Sequence, residues 1–351
     1  MNNLIVPCAG KSSRYPNMKP KYMLTHPDGC LMIEKSLSGI NQDAFDRIII
    51  TIVKPHVEQY DADLIMQQVF KDNPKVEICI LDNFTSCASE TVFLTIKKMQ
   101  IQGSLVIKDS DNYVAVNMSK IENAVIGYDL HKHRDVPNIA AKSFIVANEQ
   151  GIIQNIIEKQ IVSNIICLGV YCFEDASNFV EVYEELKNNR VDGELYVSHV
   201  ISYMIAKGKT FFLYQANDYE DWGTIKEWQN VQKRFRTYFV DVDGVLMKNS
   251  GKYGKVNWYN NNQFLTENIE ILKNLQKNGA QIIITTSRTE EFRKDLTQKL
   301  INMGLKPYAI LMGLNHSARV IINDFAPTNP YPSGIAISLP RNENIEDYID
   351  Y

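Results

Sequence analysis

Short apolar runs alternate with segments of helical spacing along the chain, and this alternation constrains the fold more than any other feature. Leu4–Pro7, Ile48–Val53 and Val76–Leu81 have the length and aliphatic composition of buried strands. Segments between such runs, for example Ser89–Met99, repeat apolar residues with the period of a helix. Strands that alternate with helices form mostly parallel sheets, which bind ligands at the carboxyl ends of their strands. We therefore predict an α/β fold built on mostly parallel sheets.

The alternation runs through two successive series, which we interpret as two domains. A polar helical segment, Gln229–Arg236, ends the first series, and a new buried strand begins at Thr237. We predict domains at residues 1–235 and 236–351, in a chain of 351 residues that is long enough for two. The remaining predicted strands are 105–107, 139–146, 152–158, 165–173, 210–214, 281–286, 308–312 and 320–322, and the remaining predicted helices are 56–71, 176–188, 197–206, 267–278, 290–303 and one that begins at residue 33.

Composition describes an ordinary globular chain and disfavours several classes of function. Hydrophobic residues make up 45% of the sequence, and no window reaches the ~18 consecutive apolar residues of a membrane span. The net charge of -4 disfavours a large nucleic-acid interface. The six cysteines are scattered without a CxxC pair, as in a reducing compartment. Since no basic segment and apolar stretch open the sequence, we predict a cytoplasmic protein with neither a nucleic acid nor a membrane as partner.

The first series opens with a turn that concentrates positive charge. Four cations and no acidic residue lie between the first strand and Asp28, namely Lys11, Arg14, Lys19 and Lys21. In an acidic chain this pattern indicates a pocket for a polyanion, which we expect to be a nucleoside triphosphate. Backbone N–H groups would turn toward the phosphates, with Gly10 adopting the positive φ of such a turn. The predicted loop consists of Ala9, Gly10, Lys11, Ser12 and Ser13. The alternative is an ordinary turn with solvated lysines.

Two carboxylates follow a later strand of the first series. Asp109 and Asp111 stand at positions i and i+2 after the apolar run 105–107, so their side chains share a face in extended backbone. Carboxylates at the end of a strand suit Mg²⁺, which completes its shell with substrate phosphates. The pair therefore predicts an Mg²⁺ site, and the alternative is a polar loop that uses Asp as a turn residue.

Residues 1 to about 230 resemble the sugar nucleotidyltransferases, also called nucleoside-diphosphate-sugar pyrophosphorylases. The resemblance lies in the order of the loop AG-K-SSR, the pair Pro20-Lys21 and the run DSDNY. It implies a GT-A-like, Rossmann-like domain in which a phosphate of a sugar or polyol attacks the α-phosphorus of the triphosphate and releases pyrophosphate. In that reaction Lys21 and Arg14 would stabilise the triphosphate. The run DSDNY is similar to that of phosphocholine cytidylyltransferases and slightly favours CTP.

The same resemblance implies roles for residues farther along the chain. Asp221, in the run EDWGT, would be a further Mg²⁺ ligand, although a helix N-cap is the plainer role for this turn. Ala88 and Ser89, at a helix start, match the base-recognition segment, or else form a plain N-terminal cap. The acceptor side would consist of Lys159, Glu194 and Tyr196, with Lys159 on the acceptor phosphate.

The second series resembles the haloacid dehalogenase (HAD) superfamily of phosphatases. The run Val-Asp241-Val-Asp243-Gly is similar to the first motif of that family, and two aspartates that only cap a strand are the alternative. The resemblance implies that Asp241 attacks phosphorus, that Asp243 is the general acid/base, and that both help to hold Mg²⁺. Thr286 matches the hydroxyl that binds the phosphoryl group, and Asp324, after the run 320–322, matches a further Mg²⁺ ligand.

One motif of that superfamily departs from the usual pattern. The segment between Met312 and Asp324 contains no lysine, and we consider Arg319 or Lys306 as the substitute cation. The insert at 247–266 is too short for a cap domain. The second domain is therefore predicted to be HAD-like without a large cap, with an open site.

Three hypotheses follow from these patterns. We favour a bifunctional enzyme, an Mg²⁺-dependent nucleotidyltransferase joined to a phosphatase, of a kind whose products feed capsule or other surface polysaccharide synthesis. In the second hypothesis only the transferase is active, and residues 237–351 serve a structural role or form a homo-oligomer. In the third the chain binds nucleotides as a sensor without turnover.

Overall fold

The computed structural model describes residues 1–118, 120–132, 136, 138–189, 193–251, 254–324 and 333–349. The chain divides into two compact units, Met1–Trp228 and Gln229–Tyr351. This division falls a few residues before the predicted boundary, inside a helix that extends from Ile225 to Arg234.

The first unit contains strands and helices in alternating order. Its strands are β1 (Asn2–Pro7), β2 (Arg47–Val53), β3 (Val76–Leu81), β4 (Ser104–Lys108), β5 (Asn112–Ala115), β6 (Ala124–Asp129), β7 (Ser143–Ala147), β8 (Ile153–Glu158), β9 (Ile165–Phe173), β10 (Phe212–Gln215) and β11 (Asp218–Asp221). Its helices are α1 (Met32–Leu37), α2 (Lys54–Tyr60), α3 (Ala62–Val69), α4 (Ala88–Met99), α5 (Ala176–Asn189) and α6 (Val197–Ala206), and α7 (Ile225–Arg234) begins in this unit and ends in the second.

The main sheet of the first unit has the order β10-β6-β9-β4-β1-β2-β3, and β7 pairs with β9 and with β8. The strands from β4 to β3 are parallel, with Leu4 opposite Ile48 and Val106. Successive residues of β1 face opposite sides, so that Leu4 and Ile5 belong to different clusters of buried side chains. β9 runs antiparallel to both β4 and β6. The sheet is thus parallel in its first half, as predicted, and mixed in its second half.

A separate two-stranded ribbon lies beside the functional residues of the first unit. β5 and β11 pair in antiparallel register, with Asp221 opposite Asn112. The N–H group of Trp222 donates to the carbonyl of Asp111 at 2.9 Å. Because of this ribbon, two aspartates that are far apart in sequence lie next to each other.

Most predicted elements of the first unit are confirmed, and a few differ. β9 and α6 have the predicted bounds. The predicted helix 56–71 is two helices, α2 and α3, because Asp61 has φ +51° and ends the first of them. The predicted strand 139–146 begins only at Ser143, after a 3₁₀ turn at Ile139–Ala141. β5, β6 and β11 are not among the predicted strands.

The second unit contains a smaller parallel sheet. Its strands are β12 (Thr237–Asp241), β13 (Gln281–Thr285) and β14 (Ala309–Leu311), in this order across the sheet. Its helices are α8 (Lys255–Asn260), α9 (Thr266–Lys277) and α10 (Arg293–Asn302). Ile282 and Ile284 of β13 are fully buried against Leu272 and Leu296 of the helices. This part of the predicted α/β pattern is confirmed.

The predicted strand at 320–322 is wrong. This run lies in a loop and pairs with none of the described strands, and Val320 and Ile322 are 80% and 90% exposed. A strand of only three residues forms few hydrogen bonds with a neighbouring strand. These bonds do not offset the conformational entropy that the segment would lose on becoming a strand. Asp324 therefore lies on a loop instead of at the end of a strand.

Within the described parts of the chain, no helix is both long enough and apolar enough to cross a membrane.

Candidate functional site

The start of the loop after β1 is held by backbone hydrogen bonds. The N–H group of Cys8 donates to the carbonyl of Thr51 at 2.8 Å, and the carbonyl of Ala9 accepts from the N–H group of Thr85 at 3.2 Å. Gly10, Lys11 and Ser13 are exposed, so this part of the loop is open to a ligand.

The positive φ that we predicted for Gly10 belongs to a different residue. Ser12 has φ +50°, whereas Gly10 is not among the residues with positive φ. The carbonyl of Ser12 accepts from the N–H group of Tyr15 at 2.8 Å, and its hydroxyl accepts from the N–H group of Lys21 at 3.4 Å. These two bonds close a turn around Ser12, which explains why the left-handed residue lies there.

Tyr15 joins this loop to the turn that follows β11. Its buried hydroxyl contacts the carbonyl of Trp222 and donates to the carbonyl of Thr224 at 3.0 Å. The cationic loop and the predicted ligand Asp221 are therefore parts of one structure.

Two predicted triphosphate-binding cations lie against Asp111. Lys21 Nζ is 2.5 Å and Arg14 Nη2 is 3.7 Å from Asp111 Oδ2, and the side chain of Asp111 is 13% exposed. Burial raises the pKa of Asp111, but the charges of Lys21 and Arg14 outweigh it and hold the pKa well below its usual range. Asp111 is thus an ionised carboxylate surrounded by positive charge.

Asp109 packs directly over a glycine of β9. Its N–H group donates to the carbonyl of Gly169 at 2.9 Å, and a Cβ at Gly169 would lie 2.2 Å from Asp109 Oδ2. Burial and the charge of Asp111 together raise the pKa of Asp109 to about 6, although the charge of Lys108 opposes them. Asp109 and Asp111 are therefore neighbouring carboxyl groups of which Asp109 has the higher pKa.

A buried lysine fixes the backbone between these carboxylates. Lys108 is fully buried, and its ammonium donates to the hydroxyl of Ser36 at 2.8 Å and to the carbonyls of Asp109 and Asn112 at 2.6 and 3.0 Å. Burial lowers the pKa of Lys108 to about 8, although the charges of Asp109 and Asp111 oppose this. The ammonium group of Lys108 therefore holds the two ends of the turn 109–112 together by hydrogen bonds.

Asp221 completes the group of carboxylates. Its Oδ1 accepts from the N–H group of Gly223 at 3.2 Å, and its Oδ2 contacts the ammonium of Lys142. Burial raises the pKa of Asp221, and the neighbouring Lys142 lowers it. A Cβ at Gly223 would lie 3.2 Å from Asp221 Oδ1 and 3.7 Å from Asp111 Oδ2.

The geometry at Gly223 fits a divalent cation. Carboxylate oxygens of Asp111 and Asp221 face the same small space, which a side chain at position 223 would fill, and Nη1 of the largely exposed Arg14 lies at its edge. Carboxylate oxygens are the ligands that Mg²⁺ prefers. Asp111 and Asp221 would hold the ion, with Asp109 next to them.

The predicted base-recognition residues lie at the start of α4. Ser89 is fully buried and its hydroxyl donates to the carbonyl of Leu195, while Ala88 is half-buried. The hydroxyl of Ser89 is thus used to hold the segment before α6. A nucleotide at this position would meet the backbone of the helix start.

The three predicted acceptor-side residues lie together. Lys159 Nζ donates to the hydroxyl of Tyr196 at 2.5 Å and lies 4.5 Å from the centroid of its ring. The hydroxyl of Tyr196 donates to Glu194 Oε2 at 2.6 Å. Lys159 directly follows β8, and its N–H group donates to the carbonyl of Lys142 at 3.0 Å. The end of β8 therefore lies next to the residue that contacts Asp221.

In the second unit, Asp241 lies at the carboxyl end of β12 with its side chain exposed. The residue is exposed as a whole, but neighbouring groups partly shield its carboxyl group from water, which raises its pKa, and a hydrogen bond from the N–H group of Val242 lowers it. The charge of Asp243 raises this pKa, and the charges of Arg319 and His316 lower it. Of the two substitute cations that we considered, Arg319 is therefore the one whose charge acts on Asp241.

Asp243 makes a two-point ion pair that the sequence did not suggest. Arg288 donates from Nε to Asp243 Oδ2 at 3.0 Å and from Nη2 to Asp243 Oδ1 at 2.6 Å. The side chain of Arg288 is 0% exposed, whereas that of Asp243 is 25% exposed. The carboxylate of Asp243 is therefore fixed in orientation by a buried guanidinium.

Of the remaining predicted residues of the second unit, only Thr286 lies beside the pair of Asp243 and Arg288 among the contacts described below. Thr286 is buried and its hydroxyl accepts from the N–H group of Arg288 at 3.1 Å, which places it beside the Asp243 pair. Lys306 precedes β14, at the edge opposite the carboxyl ends of the parallel strands, so it is a wrong candidate for the missing cation. Asp324 lies on the loop after Arg319, where its backbone carbonyl accepts from the hydroxyl of Ser333 at 2.6 Å.

Four residues of the two sites are absent from the sequence predictions, namely Lys108, Lys142, Gly169 and Arg288. Two of them leave a sequence signal. Gly169 interrupts the apolar run of β9, and a glycine in a strand often marks a close approach. Lys108 ends a buried strand, where a charge requires partners. Lys142 and Arg288 give no local signal, because their partners are distant in sequence.

No protein-family model matches the chain. A curated relative, the bifunctional protein GlmU of Limosilactobacillus fermentum, is 24% identical over 259 residues, which cover 70% of this chain and 54% of the relative. The chain thus spans about half the length of that relative.

Solved structures with a similar fold include the nucleoside-diphosphate-sugar pyrophosphorylase from Vibrio cholerae RC9, with a TM-score of 0.55 and 20% identity over 65% of this chain and 98% of that one. The inositol-1-phosphate CTP transferase from T. maritima has a TM-score of 0.51 and 14% identity over 66% of this chain and 95% of that one. These likenesses confirm the α/β fold of the nucleotidyltransferases for that share of the chain. The dehalogenase resemblance of the second unit stays a prediction.

Proposed function

We propose that the first unit is a nucleotidyltransferase that joins a nucleoside triphosphate to a phosphorylated sugar or polyol and releases pyrophosphate. The observation that carries this proposal is the group of charged side chains around Gly223. The carboxylates of Asp111 and Asp221 lie there beside the guanidinium of Arg14, a residue of the cationic loop. The comparisons support it through the shared fold and through the names of the similar proteins.

The reaction brings two anions together, so charge stabilisation is the main task of the site. A phosphate oxygen of the acceptor attacks the α-phosphorus, and the bond from that phosphorus to the bridging oxygen of pyrophosphate breaks. Lys21 and Arg14 would stabilise the negative charge on the departing pyrophosphate. Lys159 would bind the acceptor phosphate, since it is an exposed cation at the end of β8.

A bound Mg²⁺ would neutralise charge on the phosphates and orient them. Asp111 and Asp221 are the residues that would hold it. The base of the triphosphate is a finer point, for which the run 109–113 and the CTP transferase of similar fold both favour CTP.

The test is pyrophosphate release from each of the four common nucleoside triphosphates, with a panel of phosphorylated sugars and polyols. We expect metal-dependent release with one triphosphate, and loss of at least about 100-fold in Asp111→Asn. Asp218→Asn removes an exposed carboxylate from the same ribbon and should retain activity. Full activity of Asp111→Asn would contradict the proposal.

A second activity, phosphatase action at Asp241, is favoured by a specific observation. Asp241 is an exposed carboxylate at a strand end, with Arg319 nearby and with Asp243 oriented by Arg288. Asp241 would attack phosphorus, and the bond from phosphorus to the alcohol oxygen would break as Asp243 gives that oxygen a proton. Asp243 would then take a proton from the water that hydrolyses the acyl phosphate and frees inorganic phosphate. Release of inorganic phosphate should be lost in Asp241→Asn and kept in Asp295→Asn, an exposed carboxylate of α10. A role in surface polysaccharide synthesis stays a prediction from the resemblance.

A further inference from the structure

Lys142 and Asp221 form a pair that is nearly withdrawn from water. The side chain of Lys142 is 17% exposed and that of Asp221 is 5% exposed. Lys142 Nζ contacts Asp221 Oδ2 and also donates to the hydroxyl of Tyr219 at 3.1 Å. Neither charge can lose its partner at this depth without a large cost, so each must exchange its partner for another one.

The same carboxylate is one of the two that would hold a divalent cation. Its Oδ1, which faces the space at Gly223, accepts from the N–H group of Gly223, and its Oδ2 is the atom that Lys142 contacts, so a bound cation and Lys142 would share one carboxylate. An ammonium group and a divalent cation on one carboxylate repel each other strongly in a site with little water. Binding of the cation and contact of Lys142 with Asp221 are therefore competing events.

A second place for the ammonium group lies next to the acceptor-side residues. The carbonyl of Lys142 accepts from the N–H group of Lys159, and the two side chains start from adjacent ends of β7 and β8. A lysine has a flexible four-carbon stem. A phosphate group at Lys159 is thus within reach of a displaced Lys142 and would replace the lost carboxylate.

We propose that Lys142 exchanges Asp221 for the phosphate of the acceptor when a divalent cation binds, and that it thereby couples metal binding to acceptor binding. This inference rests on the proposed transferase function. Because the coupling is mutual, removal of Lys142 should strengthen metal binding and weaken phosphate binding.

Binding of Mn²⁺ to the full-length chain, followed by the EPR signal of free Mn²⁺, tests the exchange. The parent protein and each variant in this experiment carry Asp241→Asn, so that the second unit contributes less to the measured binding of Mn²⁺. We expect Lys142→Gln to bind Mn²⁺ about fivefold more tightly or better than the parent, and Lys142→Arg to resemble the parent. Lys209→Gln, at an exposed lysine that pairs with Glu174, should leave the Mn²⁺ affinity unchanged. Equal affinity in the parent and in Lys142→Gln would overturn the exchange.

Competitive acetylation, followed by mass spectrometry, measures how accessible the ammonium group of Lys142 is. If Lys142 had only a structural role, this accessibility would not change when Mn²⁺ binds. In the parent, Mn²⁺ should raise the labelling of Lys142 relative to Lys226, and added inorganic phosphate should lower it again. If Mn²⁺ does not change the labelling of Lys142, the proposed exchange is also wrong. Asp111→Asn separates the two claims: if it binds Mn²⁺ as the parent does, or if the parent binds none, the metal site of the proposed function fails as well.

Discussion

Gly169 places a carboxylate of the candidate site through the absence of a side chain. A Cβ there would overlap Asp109 Oδ2, and the φ of +69° is one that other residues rarely adopt. We expect Gly169→Ala to displace Asp109 and to lower the kcat of pyrophosphate release at least about tenfold. Backbone strain should also cost roughly 1–2 kcal/mol of unfolding free energy, measured by urea denaturation.

Gly208→Ala is the matched control for that change. Gly208 also has a positive φ, of +86°, but a Cβ there would meet no atom within 4 Å. This variant should lose similar stability and keep its kcat. A Gly169→Ala enzyme with the kcat of the wild type would show that Asp109 does not need its present position.

His56 should make the stability of the first unit depend on pH. It is 5% exposed, and burial lowers its pKa to about 4 from the model-peptide value of 6.5. Between these two values the unfolded chain binds the proton and the folded chain does not, so stability falls as pH falls from 6.5 to 4. The measurement is the free energy of unfolding in urea at several pH values across this window.

His56→Gln supplies the comparison for this pH dependence. Glutamine does not titrate and can still bond to Tyr22, whose hydroxyl lies 3.2 Å from His56 Nδ1. The variant should lose less stability than the wild type over the same window. Identical slopes in both proteins would rule out His56 as the source.

At the scale of elements, the β5–β11 ribbon and the loop after β1 depend on Tyr15. Its hydroxyl bonds to carbonyls on both sides of Gly223, those of Trp222 and Thr224. Tyr15→Phe keeps the ring and removes both bonds, so the loop should hold the triphosphate less well. We expect the KM for the triphosphate to rise by about fivefold, with a loss of roughly 1 kcal/mol in stability.

Tyr203→Phe controls for the loss of a tyrosine hydroxyl. Its partner is Glu185, on the helix α5, away from the ribbon. Its KM should equal that of the wild type. If Tyr15→Phe also leaves KM unchanged, the loop does not need its bond to the ribbon.

The elements also show which parts of the fold are readable from sequence. β1, β2, β9 and α6 were predictable because long apolar runs and helical spacing are local properties. β5 and β11 have only four residues each and contain polar side chains, so their pairing is visible only in three dimensions. The run 320–322 shows the opposite error, because its sequence is locally strand-like but it does not pair with the described sheet of β12, β13 and β14.

The same distinction applies to the candidate site. The clustering of Lys159, Glu194 and Tyr196 followed from resemblance, and the structure brings them together. Lys142 and Arg288 were not predictable, because each acquires its role from a carboxylate more than forty positions away along the chain, Asp221 and Asp243 respectively. Spacing in sequence carries no information about such pairs.

At the scale of the whole molecule, two proposed activities on one chain create a conflict over phosphate. The transferase needs a phosphorylated acceptor, and a phosphatase that accepted the same compound would destroy it. The second site must therefore prefer another phosphate ester, such as a bisphosphate precursor or a later compound. The open site predicted from the short insert at 247–266 is compatible with a bulkier substrate.

The yield of nucleotide product tests this division of substrates. With the full chain and a fixed amount of acceptor, Asp241→Asn should leave the final yield unchanged, because the second site does not consume the acceptor. Asp111→Asn should abolish the product and leave phosphate release from other esters intact. A higher yield in Asp241→Asn would mean that the two sites compete for one compound. In that case the second unit would limit the first by removing its substrate, and the proposed separation of substrates would be wrong.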